Sequence, residues 1–339
     1  MDSSGGEMIA ADRLLAVVRA FAGRRIAVIG DVIADEFIYG QIARVSREAP
    51  VLILDYDSTE VVAGGAGNAA SNVAALGGVA SALGVLGRDE SGRRLLAAMR
   101  RRGIDVRRMV APSGYRTPTK TRILAGGIHS AKQQVVRIDR AASASPDDRT
   151  LEVFEDRVLT AAAASDALLV SDYGGGLVTP ALVAAARDRM RVPIVLVDSR
   201  YGLLRYKGLT ACTPNESEVE QALGVRIGDD PRALERAGRA VLTRTRSRAV
   251  LVTRGSRGMA LFQPGVRTIH IPIVGSDQIA DVTGAGDTVI ATMTLALAAG
   301  ATFEEAAHLS NHAGGIVVMK RGTATVTAAE LRASLAEAR

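Results

Sequence analysis

The chain has 339 residues, 47% of them hydrophobic and 23% charged, which places it with folding proteins and apart from disordered ones. Its net charge of +6 would suit nucleic acid only if gathered on one face among stacking aromatics; with no Trp and 3% aromatic residues, an anionic small molecule is the better-fitting partner and no nucleic acid is expected. A single cysteine, Cys212, excludes an internal disulfide framework and a cysteine-cluster metal site, and no apolar run approaches the roughly 18 residues of a membrane helix, so the expected location is cytoplasmic.

Residues 11–21 carry Leu14, Leu15, Val17, Val18 and Phe21 at helical spacing and stop at Gly23, predicting an N-terminal helical extension over 1–24. Residues 25–30 then read as a buried strand ending at a glycine and an acid, and similar apolar runs recur at 80–86, 167–171, 194–198 and 249–253. Helical stretches at 67–76, 91–102, 180–190 and 230–243 separate them. This alternation predicts an α/β fold with a mostly parallel sheet flanked by helices, spanning 25–339. Two segments, about 37–62 and 115–140, instead alternate like half-exposed strands and predict a small antiparallel β lid over the carboxyl ends of the core strands, where open α/β sheets bind ligands.

The most informative segment is Asp281-Val282-Thr283-Gly284-Ala285-Gly286-Asp287-Thr288, followed by an apolar helix up to Gly300. A small-residue turn entering a helix leaves its first N–H groups unpaired at the positive end of the helix dipole, which makes an anion hole. Asp287 places a carboxylate beside it. Like charges repel, so that pairing serves phosphate storage badly; it suits a base taking a hydroxyl proton as the oxygen attacks a phosphoryl group. Read alone, the segment is equally a tight turn with an acid in the first helical turn.

Residues 281–287 resemble the signature Asp-x-Thr-Gly-Ala-Gly-Asp of the ribokinase-like, or PfkB, family of sugar kinases. Matches in the family's order support the resemblance: Gly30-Asp31 with Asp35, residues 64–70 (GGAGNAA), Asn215-Glu216-Ser217-Glu218, Thr253-Arg254-Gly255-Ser256-Arg257-Gly258, and residues 311–315. Within the family the sequence is most similar to D-glycero-β-D-manno-heptose 7-phosphate kinases, including the kinase half of bifunctional ADP-heptose synthases, through residues 44–51 (RVSREAPV), 133–139, Ser171-Asp172-Tyr173 and 281–292. The departures are Gly175 for the usual lysine, Asp198-Ser199-Arg200 for Asp-Pro-Lys, and Arg47 for a proline.

The resemblance implies an ATP- and Mg²⁺-dependent kinase acting on an anomeric hydroxyl, with a heptose 7-phosphate as acceptor and another sugar or sugar phosphate, such as a fructose phosphate or ribose, as the alternative. Asp287 would be the base, with the amides of Gly284, Ala285 and Gly286 holding the transferring phosphoryl. Asn215, Glu216, Ser217 and Glu218, then Thr253, Arg254, Gly255, Gly258, Asn311 and Gly315, would bind ATP, with Glu218 reaching Mg²⁺ through water. Asp281 and Thr283, with carbonyls around 317–322, would form a K⁺ site. Asp31, Asp35, Gly64, Gly65 and Asn68 would bind the sugar. A phosphate on its far end needs a cation, for which Arg137 is the first choice and Lys132, Lys120 and Arg122 the others. Relatives pairing their lids imply a homodimer. Without the resemblance, Asn215 reads as an ordinary helix cap. One rival class remains at this stage: Gly65-x-Gly67-x-x-Ala70, with Asp89 about 20 residues on, fits the dinucleotide fingerprint of an NAD-dependent oxidoreductase.

Overall fold

The computed structural model describes residues 9–126, 132–142, 145–275, 281–320 and 322–337. The chain runs α1 (Ala11–Arg19), β1 (Arg25–Gly30), β2 (Val32–Val45), β3 (Leu52–Gly65), α2 (Ala66–Ala75), β4 (Val79–Leu83), α3 (Glu90–Arg101), β5 (Thr119–Gly126), β6 (Gln133–Arg140), α4 (Asp148–Ala163), β7 (Ala167–Asp172) and α5 (Pro180–Arg189). It continues with β8 (Val195–Ser199), β9 (Ala211–Cys212), α6 (Glu216–Leu223), α7 (Pro231–Thr245), β10 (Ala249–Thr253), β11 (Met259–Phe262), β12 (Ile269–Ile271), α8 (Ala285–Ala298), α9 (Phe303–Val318) and α10 (Ala328–Glu337).

The short uncharged apolar runs form the interior of an eight-stranded sheet, in the order β12-β11-β10-β9-β8-β7-β1-β4. Pairing is parallel from β10 to β4, and β11 and β12 add an antiparallel edge. Both faces are covered, so these strands carry apolar side chains in both directions. One face packs on α2, α8 and α9, and the other on α4, α5 and α7. Helix α1 is part of the first layer rather than an appendage: Leu14, Val17, Val18 and Phe21 share its cluster with Leu331 and Leu335 of α10, and Arg13 bonds Glu305 at 2.8 Å.

The lid is a second sheet, in the order β3-β2-β5-β6. Its two hairpins are antiparallel as expected, but they join through a parallel pair, Ala34↔Thr119 to Gln41↔Gly126. Parallel neighbours need a crossover, which α2, β4 and α3 supply. The lid also begins earlier than the alternation suggests, at Val32 directly after Asp31, because the inner half of β2 is buried and lacks the alternating pattern. Among the described residues no helix is long and apolar enough to cross a membrane.

Candidate active site

The carboxyl ends of the core strands open onto a cleft of about 610 Å³, the position this topology reserves for ligands. Gly284 turns the chain into α8 at φ +80°, and a side chain there would come within 2.6 Å of Asn68 Nδ2, so the close approach to α2 requires glycine. Among the described residues the N–H groups of Gly284, Gly286 and Asp287 meet no protein acceptor, while that of Ala285 donates to the Val282 carbonyl at 3.2 Å. The expected cradle is corrected to that extent: the Ala285 nitrogen belongs to the turn, and Asp287's own nitrogen joins the other two at the positive helix end.

Asp287 is 3% exposed. Its Oδ2 accepts a hydrogen bond from Asn68 Nδ2 at 2.8 Å, and the Tyr173 hydroxyl lies 3.5 Å from Oδ1. Burial raises its pKa to about 7, against the Asn68 bond and with help from the charge on Asp35. A carboxyl half-ionised near neutrality, beside unfilled N–H groups, is matched to accepting a proton. The Tyr173 hydroxyl is held well above its ordinary range, first by the Asp287 charge and then by burial.

On the sugar side the geometry reassigns several residues. Asn68 is fully buried and its amide is engaged by Asp287 and, at 3.4 Å, by Asn72 Nδ2, so it positions the Asp287 carboxylate. Asp35 is not a free acceptor: Arg122 Nη1 bonds one oxygen at 2.6 Å, and Thr323 Oγ1 lies 3.4 Å from the other. Asp31 Oδ2 accepts the N–H groups of Tyr173 at 2.8 Å and Gly175 at 3.1 Å, and burial holds its carboxyl above the usual value. Gly64 and Gly65 make room for these acids: a Cβ would lie 2.5 Å from Asp35 Oδ2 at Gly64 and 2.3 Å from the Asp31 carbonyl at Gly65. Arg137, the first choice as phosphate clamp, is instead held by Asp139 through bonds of 2.7 and 2.6 Å, and Lys132 pairs with Asp57. Lys120 has no such partner among the described residues and stands over the Tyr173 ring, 5.5 Å from its centroid.

On the opposite side, Asn215 and Glu218 form a reciprocal capping box at the start of α6, with both bonds at 2.9 Å. The cap reading is realised, yet both side chains also line the cleft, as do Ser217, Thr253, Gly255, Gly258, Asn311 and Gly315. Glu216 and Arg254 are turned away: they bond each other at 3.1 Å, and Arg257 takes the other Glu216 oxygen at 2.8 Å. Asn311 Nδ2 is engaged by the Pro272 carbonyl at 2.7 Å. Asp281 accepts N–H groups from Thr283 at 2.9 Å and Gly322 at 3.0 Å, joining the two segments expected around a monovalent ion; Arg321, within that stretch, lies outside the described residues.

Sequence reasoning passed over Asp198 and Arg200 as site residues. Asp198 lies at the carboxyl end of β8 and accepts no hydrogen bond among the described residues; burial, then the charges of Glu218, Asp287 and Asp172, push its carboxyl well up. Its signal was the position at a strand end facing the cleft. Thr213 Oγ1, also in the lining, is buried without a partner among the described residues. Among the described residues no three His, Cys, Asp or Glu side chains are grouped to hold a metal. Unfilled N–H groups beside crowded carboxylates therefore fit a polyphosphate bringing a hydrated divalent cation with it, rather than a protein cage for a bare ion.

Comparison with known proteins agrees with this architecture. The chain matches the pfkB family of carbohydrate kinases over residues 24–330 and belongs to that family. It is accordingly a sugar kinase, an enzyme whose class uses ATP with a divalent metal. It is 41% identical to the bifunctional protein HldE of Caulobacter vibrioides over 334 residues, covering 96% of this chain and 66% of that protein. To the HldE of Geobacter sulfurreducens it is 41% identical over 319 residues, covering 91% and 62%. The chain thus spans a little under two thirds of the length of these relatives. Among solved structures it is similar to Arabidopsis thaliana ribokinase complexed with ribose and ATP (TM-score 0.68, 21% identity, 93% of this chain and 98% of that one). It is also similar to Escherichia coli phosphofructokinase-2 in complex with potassium (TM-score 0.73, 18% identity, 93% and 99%); at these identities the likeness shows the fold. The oxidoreductase alternative fails on the same fold. Strand β3, before the glycines, lies in the lid sheet and not in the parallel core sheet, so the core strand-turn-helix unit that the fingerprint requires is not formed there.

Proposed function

We propose that the chain transfers the γ-phosphoryl of ATP to the anomeric hydroxyl of a heptose 7-phosphate, giving the 1,7-bisphosphate. The observation that carries this reading is Asp287: a buried carboxyl with a pKa of about 7, placed by Asn68 at the unfilled N–H groups that open α8. Asp287 takes the hydroxyl proton as the oxygen attacks phosphorus, and the N–H groups of Gly284, Gly286 and Asp287 receive the charge on the transferring oxygens. Mg²⁺ would be held at Glu218 and Asp198, mostly through water, and would supply charge neutralisation between the phosphates. The HldE relatives support heptose as the sugar class. Lys120, the one of the four candidate lid bases without an ion pair among the described residues, is the clamp we assign to the sugar's own phosphate.

The deciding measurement is ADP release over a panel of sugars and sugar phosphates, with wild type beside Lys120→Ala. The heptose 7-phosphate should turn over fastest, and the substitution should raise KM for phosphorylated acceptors about tenfold or more while leaving unphosphorylated analogues nearly unchanged. A fructose phosphate or ribose outrunning heptose would overturn the substrate, and equal effects on both acceptor types would overturn the clamp. We further propose a homodimer through the lid, supported by Ile42, Val45, Tyr56, Val136 and Ile138, which are all more than two fifths exposed. Sedimentation as a dimer at micromolar concentration is the expected result, and a monomer there would refute it.

A further inference from the structure

The cleft has an imbalance of charge that its proposed cargo would make worse. Four carboxylates line it, Asp172, Asp198, Glu218 and Asp287, and the one guanidinium or ammonium group among the described lining residues is Arg200. A nucleotide triphosphate adds more negative charge to the same space.

Arg200 is mounted for a task at that spot. It follows β8 directly, and its backbone N–H donates to the Asp172 carbonyl at 3.0 Å. The turn that carries it is fastened at both ends: Ser199 Oγ donates to Asp172 Oδ2 at 2.7 Å and accepts the Gly202 N–H at 3.0 Å. Tyr206 adds a bond of 2.8 Å to the same Asp172 oxygen. On the other flank, Tyr201 packs so tightly on Gly174 that a Cβ there would be 2.8 Å from its ring, and the Arg200 guanidinium lies over that ring at 5.7 Å from the centroid. With its base anchored, the exposed guanidinium has no hydrogen-bond or ion-pair partner among the described residues. It lines the same cleft as Glu218, Tyr173 and Asp287. A fork of donors in that lining can meet the group that must pass between nucleotide and acceptor.

We propose that Arg200 holds the terminal phosphate of the bound nucleotide and follows it through transfer, an inference that rests on the kinase reading. In that step the bond between the γ-phosphorus and the β–γ bridging oxygen breaks and its electron pair stays on the β-phosphate. The acceptor oxygen bonds to phosphorus, and its proton goes to Asp287. Arg200 donates to the γ-oxygens throughout.

Equilibrium binding of Mg-AMPPNP and Mg-ADP to wild type, Arg200→Ala and Arg200→Lys tests this without a sugar. Wild type should prefer the triphosphate analogue, Arg200→Ala should lower that preference about tenfold or more with ADP affinity changed less than about twofold, and Arg200→Lys should fall between. With an acceptor present, kcat of Arg200→Ala should drop about 10²-fold. An unchanged triphosphate-to-diphosphate ratio, or an equal loss for both nucleotides, overturns the assignment and leaves the kinase reading standing. Absence of binding of either nucleotide to wild type overturns both.

Discussion

The lid sheet and the core around the cleft treat acids in opposite ways. On the lid, carboxylates are matched to cations: Asp35 with Arg122, Asp57 with Lys132, Asp139 with Arg137. In the core, Asp198, Glu218 and Asp287 are crowded together without an ion pair among the described residues, and burial raises all three. A paired acid is a structural joint, its charge already answered. An unanswered acid in a dry site is held in readiness for a cation, a metal-bound phosphate or a proton, at a cost to stability. The lid thus keeps shape, and the core is built for chemistry.

The largest expected break in that contrast comes from Asp287→Asn. It keeps the size of the side chain and an oxygen able to accept from Asn68, but cannot take up the proton. We expect Mg-ADP affinity to stay within about twofold and kcat to fall at least about 10²-fold, the usual worth of a general base. The wild-type rate should also rise with pH through about 7, the Asp287 value, and the residual rate of the variant should lose that inflection. Near-normal turnover in the variant would remove Asp287 from the chemistry.

Much of this was legible in the sequence, and the remainder was not for identifiable reasons. Strands β1 and β10 occupy the residues their apolar runs indicate, and the Asn215–Glu218 box follows from spacing alone. Local pattern also reached the α8 turn and its acid. It could not reach the partners. Asn68 meets Asp287 across 219 positions, and Arg122 meets Asp35 across 87, so whether an acid is answered by a base is decided by tertiary packing. For the same reason Arg137 read as free from its alternating strand, though Asp139, two residues on and on the same face, holds it. The parallel joint inside the lid escaped because a crossover leaves no mark on either strand it connects.

The next test acts on the lid. In the Arg122–Asp35 pair the two side chains are 12% and 7% exposed, against 45% and 51% for Arg137–Asp139. Removing one partner of a buried pair strands the other charge, so Arg122→Ala should cost about 3 kcal/mol of unfolding free energy. Arg137→Ala, on a solvated pair, should cost less than about 1 kcal/mol. Urea unfolding of the two variants would measure the difference, and equal losses would show that the lid pairs are not the joints this contrast makes them.

The smallest effect lies in how stability changes with pH, and it sharpens the contrast because the two kinds of acid have opposite signs. Asp287 is raised from 3.8 to about 7, so folding favours its protonated form. The resulting stability is fully present below the unfolded value and is lost as pH rises through about 7. Asp139, lowered first by its Arg137 bond, belongs to the group whose contribution appears above the unfolded value and fades only in acid. Between pH 6 and 8 Asp139 is ionised in both folded and unfolded chains and contributes no slope, so a decline over that window comes from acids that folding raises. One unit of pKa corresponds to about 1.4 kcal/mol, and for Asp287 the part falling between pH 6 and 8 is also about 1.4 kcal/mol, a shift in Tm of roughly 2 °C at this chain length. Asp287→Asn has no proton to lose, so its Tm should be flatter over the window and should exceed that of wild type most at pH 8. Parallel curves for the two proteins would mean that the carboxyl is already ionised at pH 6, and the core would then not be holding its acid in readiness.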